Sequence, residues 1–87
     1  MLQVIIVKEN DKLTISELRD LETMTSLSVF DNEQKKIDLT PAKNYVGETI
    51  LVTHFVRSGN CTRIDYERER TLTKVAEDNG LMYIEYN

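Results

Sequence analysis

The segment from His54 to Arg70, HFVRSGNCTRIDYERER, holds the only histidine, the only cysteine and four of the five arginines of the chain. These residue types serve nucleophilic catalysis, phosphate capture and bidentate anion recognition. Each of those chemistries also needs partners at set spacings. A phosphate-cradling loop built on cysteine requires Cys, five residues and then Arg, whereas Arg63 comes too early after Cys61 and Arg68 one residue too late. In a hairpin turning at Gly59-Asn60, His54 would face Asp65, but Cys61 would lie several positions away along the ladder, out of reach as its nucleophile. His54 therefore reads as a structural residue on an apolar strand face, and Cys61 as a thiol without assigned chemistry.

No Cys or His cluster has zinc-ligand spacing, and Gly47, Gly59 and Gly80 fall in no nucleotide-binding pattern. The carboxylates are scattered as on a solvated surface. Asn60-Cys61-Thr62 matches a glycosylation sequon, but no secretory signal accompanies it. The expectation is a protein without cofactor or metal, and not an enzyme.

What remains is the arginines, whose planar forks and stacking faces suit recognition. Two accounts compete. In the first they pair across strands with Asp65, Glu67 and Glu69. In the second, Phe55 with Arg57 and Arg63 forms an outward binding face, an aromatic and two forks of the kind enriched at interface hot spots, while Arg68 and Arg70 extend beyond it. The candidate partner-binding residues are thus Phe55, Arg57, Arg63, Arg68 and Arg70.

That face has to be positioned by the hairpin of Thr49 to Arg57 and Cys61 to Glu67. Pairing Arg57 with Cys61 across Ser58-Gly59-Asn60 sets Ile50, Val52, His54 and Val56 on one face with Thr62, Ile64 and Tyr66. The two-residue turn Gly59-Asn60 would instead mix the apolar residues with Arg63, Asp65, Glu67 and Glu69, so the first register is expected.

Elsewhere Leu2 to Val7 reads as a buried strand. Thr14-Ile15-Ser16-Glu17 has the form of a capping box, and Ile15, Leu18, Leu21 and Met24 recur every three residues, which predicts a helix. A competing reading returns Lys12 to Ser16 on the first strand across Glu9-Asn10-Asp11. Leu27 to Phe30 and Lys36 to Leu39 flank a polar turn as a short hairpin. Thr40-Pro41 starts a short helical turn that Gly47 ends. Leu72, Val75 and Ala76 after Thr71 predict a second helix closed by Asn79-Gly80, followed by a terminal strand, Leu81 to Tyr86. The fold class expected is α+β, a mainly antiparallel sheet with two helices packed on one face, in the order β-α-β-β-β-β-α-β.

Eighty-seven residues make one domain, 1–87, with a small core. A net charge of -4 and pI near 4.9 oppose a general duplex-DNA binder. No stretch is apolar for long enough to span a membrane, and the lone thiol fits the cytoplasm. Lys, Asn and Ile, with their AT-rich codons, are frequent while Gly and Pro are few, as in many phages and mobile elements. The function expected is a small cytoplasmic protein-binding regulator or inhibitor, an accessory protein acting on a larger host protein. The alternative is an RNA-binding or RNA-processing module using the arginine-rich hairpin, although Leu2 to Val7 lacks the aromatic that RNA-binding sheets stack on. An open strand edge would also allow a homodimer.

Overall fold

A computed structural model describes all residues, 1–87. Six strands form a single curled sheet: β1 (Leu2–Glu9), β2 (Lys12–Asp20), β3 (Thr25–Val29), β4 (Thr49–Ser58), β5 (Cys61–Asp78) and β6 (Leu81–Tyr86). Their order across the sheet is β3-β2-β1-β4-β5-β6. Every neighbouring pair is antiparallel except β1 and β4, which run parallel and join two three-stranded meanders. The only helical element is a 3₁₀ turn, Thr40–Tyr45, with Pro41 at its start.

The α+β expectation is overturned, because both predicted helices are strands. Residues 12–20 are β2, returning on β1 through Asn10-Asp11, whose φ of 53° and 63° make the type I′ turn that suits right-twisted strands. Residues 71–78 are the second half of β5, and Asn79-Gly80, with φ of 52° and 79°, is another hairpin turn rather than a helix terminator.

The physical reason lies in β-bulges. Ile5 pairs with Glu17 and Ile6 with Ile15, so Ser16 is an extra residue, and the three-residue step from Ile15 to Leu18 keeps both side chains on one face. Leu72 pairs with Tyr86 and Lys74 with Glu85, so Thr73 is extra and Leu72 and Val75 share a face. A bulge locally turns a period of two into a period of three, which imitates a helical stripe. Further bulges at Leu27 and Asp65 add twist, and the sheet closes into half a barrel.

The expected hairpin of Leu27 to Phe30 with Lys36 to Leu39 is also corrected. β3 pairs with β2, and only an isolated bridge joins Asp31 to Lys36. Residues 30–48 instead cross the concave face. Asp38 accepts a 2.9 Å hydrogen bond from the Thr40 amide to start the 3₁₀ turn. Ile37, Leu39 and Ala42 are thereby buried against Leu2, Val4, Ile6, Leu18, Ile50, Val52 and Leu72. The Gly47 amide donates to the Leu72 carbonyl at 2.7 Å and locks the end of this crossing to β5. The layer that two helices were expected to supply is one irregular connection on the concave face. The convex face has no layer at all.

Candidate binding surfaces

The hairpin that concentrates the reactive residue types turns at Gly59-Asn60, with Gly59 at φ 59°. Ser58 pairs with Cys61, Arg57 with Thr62, Val56 with Arg63 and Phe55 with Ile64; after the extra residue Asp65, His54 pairs with Tyr66 and Val52 with Arg68. The register expected from the apolar pattern is therefore wrong at the turn. Past the bulge the strands recover the facing it predicted for Ile50, Val52 and His54. The bulge allows a tight glycine turn and a coherent core to coexist, at the cost of one unpaired Asp.

This shift divides the five candidate residues. Phe55 and Arg57 lie on the convex face with Ile64 and Thr62. Arg63, Arg68 and Arg70 pair with Val56, Val52 and Ile50 and so belong to the concave side. Phe55, Arg57 and Arg63 do not converge on one face.

On the convex face, Val7, Phe55 and Ile64 are successive partners across β1, β4 and β5 and make an apolar row. Ile64 is 56% exposed. Beside them, Ile5 and Leu51 are half-buried. Below the row runs a polar chain in which Gln3 Nε2 donates to Thr53 Oγ1 at 2.8 Å and Thr53 Oγ1 donates to Glu67 Oε2 at 2.8 Å. Thr53 is 1% exposed, so these bonds offset the burial of its hydroxyl. Arg19 Nε lies 3.1 Å from Glu17 Oε2 in an ion pair, without the alignment of a hydrogen bond. Arg57 borders the row, its Nε 3.9 Å from Glu9 Oε2 and 3.4 Å from Thr62 Oγ1, both loose contacts.

On the concave side, beyond the end of the core, the His54 and Tyr66 rings stack with centroids 4.3 Å apart and planes 17° off parallel. The Arg68 guanidinium carbon lies over the Tyr66 ring, 5.1 Å from its centroid. Burial holds the His54 pKa below its usual value, with the nearby Asp65 charge acting in the opposite direction. The stack packs one face of the His54 ring against Tyr66, and no carboxylate is hydrogen-bonded to either ring nitrogen. Cys61 is exposed and sits beside Ser58 at the turn, well along β4 from His54. No three His, Cys, Asp or Glu side chains gather as a metal site would require.

Sequence reasoning missed the stack because its register set His54 opposite Ile64. It missed the convex row for the same reason, since Ile64 was counted toward the core. A signal was present: Gly59-Asn60 is a standard two-residue turn, and taking it at face value places Ile64 beside Phe55. Searches against known protein families, curated proteins and solved structures found no match for this chain.

Proposed function

We propose that this chain is a non-enzymatic protein-binding regulator or inhibitor of the cytoplasm, and that its recognition surface is the convex sheet face centred on Phe55. The observation that carries the reading is the row Val7-Phe55-Ile64, an apolar strip across three strands of the convex face in which Val7 and Phe55 are half-buried and Ile64 is exposed. An aromatic anchor flanked by aliphatics and bordered by an arginine has the make-up of an interface centre. The acidic charge and the frequent Lys, Asn and Ile, whose codons are rich in A and T, support an accessory role on a larger host protein.

The test is affinity capture from the native host with and without nuclease, using wild type, Phe55→Ala and Ile64→Glu. A nuclease-resistant partner lost from both variants, with their fold intact by circular dichroism, supports the reading. A partner retained by both refutes it.

The stacked His54 and Tyr66 under Arg68 favour a second reading, RNA binding through the concave end of the hairpin. There, Tyr66→Ala and Arg68→Ala would weaken binding, and affinity would fall steeply with salt as phosphate contacts are lost.

A further inference from the structure

The outermost strand, β6, has its backbone half unpaired. Reciprocal hydrogen bonds join Thr71 and Asn87, at 3.3 and 3.0 Å. Alternation back along the strand turns the N–H and C=O groups of Glu85, Tyr83 and Leu81 toward β5 as well. Those of Met82, Ile84 and Tyr86 therefore point away from the sheet, and no backbone bond from elsewhere in the chain meets them. Natural sheets blunt such an edge with proline, lysine, a bulge or a covering segment. Leu81-Met82-Tyr83-Ile84-Glu85-Tyr86 carries neither proline nor lysine and runs without a bulge, and the crossing segment meets it through side chains, Thr40 Oγ1 lying 4.0 Å from Met82 Sδ, without a bond to its backbone.

We propose that β6 pairs antiparallel with β6 of a second copy of this chain, about a two-fold axis at Ile84. This register is the one in which the free groups meet. Met82 faces Tyr86 of the other copy, Ile84 faces its equivalent, and all three pairs are of the hydrogen-bonded kind. Apolar side chains then oppose each other on the concave side, Met82 against Tyr86 and Ile84 against Ile84.

On the convex side the register sets Glu85 against Tyr83 of the other copy. Lys74 Nζ lies over that ring, 5.9 Å from its centroid. Within one chain, Lys74 and Glu85 are register partners and yet form no ion pair. Across the two-fold, each Glu85 comes beside the other copy's Lys74, twice over. Charge complementarity and backbone valence thus select the same occupant, a copy of the chain itself.

The experiment is sedimentation equilibrium of the full chain across a concentration series. A monomer–dimer equilibrium is expected. Glu85→Lys, on an exposed side chain, should weaken it roughly tenfold or more, and Glu85→Lys with Lys74→Glu should restore it. Ile84→Pro deletes the outward amide at the axis and should abolish the dimer; near-wild-type circular dichroism identifies a folded variant. Ile64→Glu should leave the dimer intact, which separates this edge from the convex face. A wild type that stays monomeric to about 1 mM overturns the proposal, as does a dimer that both Glu85→Lys and Ile84→Pro leave unchanged.

Discussion

Thr53 is nearly inaccessible on the convex face, and its hydroxyl both accepts from Gln3 and donates to Glu67. Thr53→Val keeps the shape and β-propensity while removing the oxygen. Gln3, also buried, would keep its side-chain amide with no acceptor, which costs ~1–3 kcal/mol. Glu67 is exposed, so water replaces its lost donor and that bond is worth less than ~1 kcal/mol. The sum is a destabilisation of about 2 kcal/mol, or a fall in Tm of roughly 10 °C for a chain of this size. Urea unfolding followed by circular dichroism, at unchanged m, measures it. In the double variant Gln3→Leu with Thr53→Val no buried donor is stranded, and its loss should fall short of the summed single losses by about 1 kcal/mol. A Thr53→Val protein within ~0.5 kcal/mol of wild type, or strict additivity, would show that the chain of bonds contributes nothing.

Three other perturbations are as direct. Because burial depresses the His54 pKa below 6.5 in the folded state, the stability tied to its neutral form is complete above that value and is lost as pH falls through the lower folded pKa. His54→Gln should therefore flatten the stability–pH curve on its acid side relative to wild type, and parallel curves would contradict this. Gly80 has φ 79° and open space where a Cβ would stand, so Gly80→Ala should cost only the left-handed backbone penalty, about 1 kcal/mol by urea unfolding; a cost several times larger would mean the turn is wrongly described. Arg57 and Arg63 lie on opposite faces, so Arg57→Glu should weaken partner capture while Arg63→Glu does not; equal losses would argue against the convex face.

Strand content was legible wherever alternation or a β-branched run was unbroken. Leu2 to Val7, Thr49 to Arg57 and the terminal Leu81 to Tyr86 all appear where the pattern puts them. The short turn after Thr40-Pro41 does too. Both helix readings failed at bulges, since the extra Ser16 and Thr73 carry no residue signature that distinguishes them from a helical step. The asparagine-led turns Asn10-Asp11 and Asn79-Gly80 were visible as dipeptides but fit two structures each, a hairpin loop or a boundary. What decided between them was the bulged antiparallel pairing of β2 with β1 and of β5 with β6. Of the candidate site, Phe55 and Arg57 were found on an open face; Arg63 was misassigned by a single unforeseen residue, Asp65.

The parallel seam between β1 and β4 has a kinetic consequence. Each meander closes by local hairpins within one half of the sequence, but Gln3 must find Leu51 and Val4 must find Val52 across the whole intervening chain. Loop-closure entropy therefore opposes the seam until the two halves are already formed, and its pairing should govern the folding barrier. Truncating Val4 or Val52 would then slow refolding nearly in proportion to the stability lost, whereas truncating Ile84 at the periphery would mainly hasten unfolding. Until the seam closes, the inner edges of β1 and β4 are themselves open templates. A chain that folds slowly across this gap is exposed to exchanging one meander with a neighbour's, a route to an intertwined dimer distinct from simple edge pairing.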